Sequence, residues 1–211
     1  MILSKINFDF PEGIEVVPNT VVNVYVIRYQ DLVIQIDAGI KTDANKIIDF
    51  YKNLDISPDY ILITAVDYLH VGALREAYDT YNPKIYVPKK EMGTMKNGPS
   101  LRGILEIEGK GLRFEGIQHV YSYNKMDIDF LEVIGTPGYS MDNVSIYFKD
   151  KNSIFVGDSL TVKRNKIKLD SMFTQNMEMA RSSLTKIKNF CPVIIFPSHG
   201  APYKCESTTS P

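Results

Sequence analysis

The sequence predicts an α+β fold, a four-layer αββα sandwich. Three observations carry this prediction. Short β-branched and aromatic runs cluster in both halves of the chain. Each cluster is followed by a segment whose apolar residues recur with helical spacing. Several runs end at Gly or Asp, where a strand passes into a loop. Two strand clusters, each with its own helices, bury their apolar faces best as two packed sheets with helices outside.

The elements follow in order. Residues 21–29 and 32–37 read as strands, with a hairpin turn at Gln30 and Asp31. Asp37-Ala38-Gly39 closes the second strand. Residues 43–54 place Ile47, Ile48, Tyr51 and Leu54 at helical spacing, with Asp43 as the expected cap. Residues 59–64 form a short buried strand, residues 71–80 a second helix, and residues 84–87 the returning strand. Residues 89–113 hold Gly93, Gly98, Pro99, Gly103, Gly109 and Gly111, the composition of a mobile loop or lid. Further strands are expected near 112–122, 127–134, 143–149 and 153–157. Residues 176–190 give a helix with Met179, Leu184, Ile187 and Phe190 near one face, and 193–196 a last buried strand. No linker interrupts the pattern, so a single domain over 1–205 is expected, followed by a polar tail at 206–211.

Composition bounds the function. With 211 residues, 44% hydrophobic and 23% charged, the chain reads as a soluble globular protein with a sizeable core. A formal net charge of -1 gives no global attraction to nucleic acid or to an anionic membrane, and neither is expected as a partner. No apolar run approaches the roughly 20 residues that span a bilayer. The first residues lack the pattern of a secretory leader. Cys191 and Cys205 form no metal-spaced cluster, and no disulfide framework is expected from them. A reducing cytoplasm is the expected location.

Four landmarks occur in order, each at a strand end. They are Ile36-Asp37-Ala38-Gly39; Thr64-Ala65-Val66-Asp67-Tyr68-Leu69-His70-Val71-Gly72; Thr136-Pro137-Gly138-Tyr139, with Gly157-Asp158 behind it; and Ser198-His199-Gly200. Their order and spacing resemble the metallo-β-lactamase superfamily over roughly residues 20 to 203. That family's motifs are a D-x-G strand end, T-H-x-H-x-D-H, T-P-G-H, a G-D after a strand, and a terminal histidine before glycine. The resemblance implies a hydrolase fold whose loops bring two metal ions to one edge, with a bridging hydroxide as nucleophile.

Carried over residue by residue, the ligand set is depleted. The first two histidine positions hold Ala65 and Asp67, the aspartate position Leu69, and the T-P-G-H histidine Tyr139. His70, Asp158 and His199 keep the family's residue, three of seven positions. Neutral imidazoles and carboxylates bind transition metals, whereas Ala65 and Leu69 offer no donor atom. A phenol with a reference pKa near 10 is a poor zinc ligand. The expected metal set is therefore His70, Asp158, His199 and Asp67, with Asp67 and Asp158 as catalytic residues. The expected cofactor is one Zn or Fe ion, or none. Asp37 is expected to organise neighbouring loops through hydrogen bonds.

Other features read more plainly. Gly157-Asp158-Ser159-Leu160 spells the GDSL esterase signature, but that family places it near the N-terminus, and three residues before His199 stands Phe196, not aspartate. Lys163, Arg164, Lys166 and Lys168 read as a solvated hairpin edge in preference to an anion clamp. His119 has no partner motif and is expected at the surface.

Three functions from different classes come into question, and the sequence argues against one of them, an ordinary dinuclear hydrolase, because one ion would have almost no nitrogen ligands. Of the remaining two, one is a divergent member with a degraded dinuclear site, weak or lost catalysis, and a retained role in binding a small-molecule ligand or protein partner. The other is a mononuclear metal-dependent hydrolase or oxidoreductase on His70, Asp158 and His199, in which the metal acidifies a bound water and Asp67 accepts its proton.

Overall fold

The computed structural model describes residues 6–97 and 114–206. These fall into two compact units, one of residues 6–97 and 114–126, the other of residues 127–206. The polar tail beyond Glu206 and the segment 98–113 lie outside the described residues.

The first unit is built on a six-stranded sheet. Strands β1 (Ile14–Val16), β2 (Tyr25–Tyr29) and β3 (Leu32–Ile36) are antiparallel neighbours. The β2–β3 turn is tight because Gln30 and Asp31 both take positive φ, 50° and 60°, which matches the twist of a two-residue hairpin. Helix α1 (Ala44–Leu54) then crosses to β4 (Tyr60–Leu62), parallel to β3. Helices α2 (Tyr68–Val71) and α3 (Leu74–Tyr81) lead to β5 (Lys84–Val87), again parallel. The short helix α4 (Met92–Asn97) follows, and β6 (Val120–Ser122) pairs parallel to β5. Parallel neighbours need crossovers, and helices with one apolar face supply them. Ile61, Ile63, Ile85 and Val87 pack with Leu74, Ala77 and Met95. Val24 and Val26 pack with Ile47, Tyr51 and Ala73.

The second unit carries strands β7 (Leu131–Gly135), β8 (Val144–Phe148) and β9 (Ser153–Gly157) in antiparallel order. A two-stranded hairpin of β10 (Thr161–Lys163) and β11 (Lys166–Lys168) follows, turning at Arg164 and Asn165, both at positive φ. Helix α5 (Met177–Lys188) starts at Asn176, whose side chain accepts a hydrogen bond from the Met179 amide at 3.0 Å. Strand β12 (Val193–Pro197) pairs parallel to β9, and β13 (Tyr203–Cys205) lies antiparallel on its outer side. The sheet order is β13-β12-β9-β8-β7. Its core joins Ile154, Val156, Val193 and Ile195 to Leu160 and Ile187.

Several expectations are corrected. Cys191 and Cys205 form a disulfide, with Cα atoms 5.5 Å apart. The reason is register: β13 returns along β12 so that Cys205 lies opposite Val193, two residues from Cys191. No sequence signal marks β13, so the pairing was invisible. Asp43 does not cap α1 with its side chain; it is buried and accepts from the Val21 amide (2.8 Å) and from Lys46 Nζ (2.7 Å). The start of the expected lid, residues 89–97, is helical, with Glu91 and Met95 buried. Its glycines from 98 onward lie outside the described residues. Strand 59–64 shortens to Tyr60–Leu62, because the chain beyond it turns to serve the candidate site.

Among the described residues no helix is long and apolar enough to cross a membrane.

Gly72 shows how closely the loops of the first unit interlock. Its amide donates to Gly39 O at 2.7 Å, and the Ala38 amide donates to His70 O at 2.6 Å. A Cβ at Gly72 would lie 2.5 Å from Ile40 Cα and Lys41 N, both backbone atoms. Gly72→Ala is expected to destabilise the fold by roughly 2–4 kcal/mol, since backbone cannot step aside as a side chain can. Denaturant unfolding of the variant checks this, and an unchanged midpoint would contradict the interlock.

Candidate functional site

The first unit gathers four carboxyl-bearing or imidazole side chains around the loop between β4 and α2. Asp37 follows β3 with φ at 61°, a left-handed conformation that turns its carboxylate across the sheet end. Its amide donates to Leu62 O (2.9 Å). Its Oδ1 accepts from the Thr64 amide at 2.8 Å, and Thr64 Oγ1 lies 2.9 Å from Oδ2. This is the loop-organising role expected of it. The Asp37 carbonyl accepts in turn from Gln35 Nε2 (2.7 Å), and Gln35 Oε1 accepts from Tyr51 OH (2.9 Å). A buried polar relay thus ties the strand end to α1.

Asp67 opens α2 in extended conformation and accepts the Leu69 amide at 2.9 Å, an N-cap. The same Oδ1 lies 2.7 Å from His70 Nδ1. One helical turn brings the two side chains to the same face. The other ring nitrogen, His70 Nε2, is 3.9 Å from Asp37 Oδ2. His70 is fully buried. Both of its nitrogens therefore face carboxylates from its own unit.

Glu91, which nothing in the sequence marked, completes the arrangement. Its buried carboxylate accepts from the Val66 amide at 2.5 Å. Tyr123 donates to Ile63 O at 2.8 Å. Burial and the nearby Asp37 charge push its phenol well above the usual range. Asp37 is itself pushed up to about 6, first by burial; the His70 charge and the Thr64 hydrogen bonds pull it back, and the Asp67 charge raises it further.

The second unit holds the remaining landmark residues. Thr136 Oγ1 lies 2.9 Å from Ser145 Oγ and accepts from Ser159 Oγ at 2.9 Å. Asn143 Nδ2 donates to Ser159 Oγ at 2.7 Å. The Ser159 hydroxyl is thus spent inside a buried network, which agrees with setting the GDSL reading aside. Tyr139 is buried, and its carbonyl accepts the Gln175 amide at 3.2 Å. Asp158 Oδ1 lies 3.6 Å from His199 Nε2, whose side chain is 41% exposed. The His199 carbonyl accepts from the Val162 amide (3.2 Å) and from Thr161 Oγ1 (2.9 Å). Lys163, Arg164, Lys166 and Lys168 are exposed, as a solvated hairpin edge requires.

The structure therefore brings the expected residues together as two pairs, Asp67 with His70 and Asp158 with His199, each inside its own unit. Among the described residues, no three of His, Cys, Asp and Glu group so as to hold a metal ion. The donor chemistry does not fit the family's dinuclear centre. Ala65 is buried and offers no donor atom, Leu69 offers none either, and Tyr139 carries a buried phenol. His70 Nδ1 is taken up by Asp67, while its Nε2 lies 3.9 Å from Asp37 Oδ2, beyond hydrogen-bond distance.

Comparison with known proteins agrees on the family. The family model described as the metallo-beta-lactamase superfamily matches residues 17–199. The chain is 28% identical over 141 residues to a probable metallo-hydrolase of Bacillus subtilis, YqgX, the match covering 65% of each protein, just under two thirds. It is 26% identical over 170 residues to a probable metallo-hydrolase of Methanocaldococcus jannaschii, covering 80% of this chain and 72% of the relative. Among solved structures, the BLEG-1 B3 metallo-beta-lactamase matches with a TM-score of 0.72 at 22% identity, over 92% of this chain and 95% of the other. TTHA1623, solved in a di-iron-bound form, matches with a TM-score of 0.70 at 20% identity, over 96% and 99%. These likenesses establish the α+β fold.

Asp37 sets a pH dependence. In the unfolded chain it releases its proton near 3.8, in the folded chain near about 6. Below both values it is protonated in both states and contributes no slope. Between them the folded state holds a proton that the unfolded state lacks, so stability falls as pH rises, and the loss is complete above about 6. Its size is of the order of 3 kcal/mol. Asp37→Asn should lack this decline, so the stability gap between wild type and variant should change by that order between pH 4 and pH 7. Parallel stability profiles over that range would contradict the assignment.

Proposed function

The chain belongs to the metallo-β-lactamase superfamily, and on that premise we propose that it is a divergent member with a degraded dinuclear site. Hydrolysis is weak or lost, and the fold serves to bind a small-molecule ligand or a protein partner. The observation that carries this reading is the absence of donor atoms at Ala65 and Leu69, beside a buried His70. Its ring is fully buried, with Asp67 at 2.7 Å on one nitrogen and Asp37 at 3.9 Å from the other. Asp67 takes the Nδ1 direction, and Nε2 stands beyond hydrogen-bond distance of Asp37. Fold alone does not decide chemistry, and the hydrolase names of the relatives stay with the relatives.

A second reading rests on Asp158 and His199. They stand 3.6 Å apart, with the imidazole two-fifths exposed, which is a half-site for a single Zn or Fe ion. On this reading the protein is a mononuclear hydrolase or oxidoreductase that also needs His70.

Elemental analysis of protein purified without chelators separates the two. The first reading expects less than about a tenth of an equivalent of Zn or Fe per chain, because a site left with His70 and His199 as its only imidazoles holds metal weakly. It also expects no chelator-sensitive hydrolysis of phosphodiester, thioester or β-lactam reporters. A full equivalent of metal that is lost in His199→Ala and kept in Tyr139→Phe would establish the second reading and overturn the first.

A further inference from the structure

We propose that Cys191 and Cys205 form a reversible thiol–disulfide site that fastens the strap carrying His199. The strap runs from the end of α5 through β12, over Ser198-His199-Gly200, and back along β13. The disulfide joins its two feet across 14 positions of sequence. His199 sits near the apex.

The two arms of the strap are held differently. The β12 arm is interior to the sheet, paired parallel to β9. The apex is pinned from one side: the Ser198 amide donates to Gly157 O (3.0 Å), and the His199 carbonyl accepts from Val162 and Thr161. Gly200 presses so closely on the Val162 carbonyl that a Cβ there would collide with it. The return arm, β13, is three residues long and lies at the sheet edge, pairing Tyr203 with Ile195, Lys204 with Ile194 and Cys205 with Val193. A three-residue edge strand is a weak anchor by itself, and edge elements open at low cost. The covalent bond at its last residue ties the return arm to the foot of the other.

Both cysteines are half-buried and pack beside the cluster of Val193, Ile195 and Ile187. That leaves the bond open to a small reductant, while packing keeps the two thiols near each other for re-formation. The chemistry is exchange with a dithiol. A thiolate of the reductant attacks one cysteine sulfur, the Sγ–Sγ bond breaks, and a mixed disulfide forms. The reductant's second thiol then resolves it. Two electrons and two protons pass to Cys191 and Cys205, and the reductant leaves as its own disulfide. Refastening is the same exchange run backwards, with a small disulfide as the oxidant that leaves as a dithiol, so the state of the His199 loop follows the thiol–disulfide balance of its surroundings.

Hydrogen exchange with mass spectrometry tests this on the full chain, oxidised or treated with dithiothreitol, the thiol state being fixed by alkylation. Reduction is expected to speed amide exchange across residues 198–205 by about tenfold or more, with β9 unchanged. The melting temperature should fall by about 5–10 °C. The His199 ring proton signals should shift, and re-oxidation should restore all three. The Cys191→Ser, Cys205→Ser double variant should match the reduced protein in the absence of reductant. If that variant fails to fold, dithiothreitol reduction of the wild type still decides. Identical exchange at 198–205 in both states, or free thiols in protein held under air, would overturn the proposal.

Discussion

A buried carboxylate has to find donors or give up its charge, and in the first unit three of them find donors on one loop. Asp37 takes the amide and hydroxyl of Thr64, Glu91 takes the amide of Val66, and Asp67 takes the amide of Leu69 together with the His70 ring. Hydrogen bonds to charged groups contribute about 1.5–3 kcal/mol each, against the several kcal/mol that desolvating a charge costs. The cluster is therefore not a large source of net stability. It is a strong constraint on geometry, because breaking any one contact leaves a buried charge uncompensated. Asp37 records the tension most clearly, pushed up to about 6 although Thr64 donates to it twice.

This constraint explains the sequence of the loop. The loop's own residues supply both ends of the Asp67 contacts. Ala65 is small enough to be fully buried, Asp67 becomes a helix cap, and the Leu69 amide becomes a donor to that cap. His70 joins them through its Nδ1, 2.7 Å from Asp67. The loop's shape thus rests on contacts among its own residues and with Asp37.

Much of this was legible before any coordinates. Strand and helix order could be read because β-branched runs and helical spacing are local signals, and the strand at Lys84–Val87 fell where expected. The role of Asp37 was legible from its place at a strand end. Other features depend on partners distant in sequence and have no local mark. Glu91 reaches Val66 across 25 positions from a segment that reads as a glycine-rich lid. Cys205 meets Cys191 only because a three-residue edge strand, too short to show a pattern, runs back along β12. Asp43 looked like a cap because it precedes a helix, yet the Val21 amide 22 positions away is the donor it accepts from. The Thr136–Asn143–Ser159 network likewise assembles from three separate stretches of chain.

The central claim is that Asp67, and no metal, holds the His70 ring, and the ring nitrogens report on it directly. Long-range nitrogen–proton NMR of the histidine ring can follow both nitrogens of His70 in protein stripped with chelator and then given excess Zn²⁺. The account predicts an Nδ1 proton hydrogen-bonded to Asp67, with neither nitrogen shifting on addition of the ion. A metal-induced shift at Nε2, reversed by chelator, would contradict it.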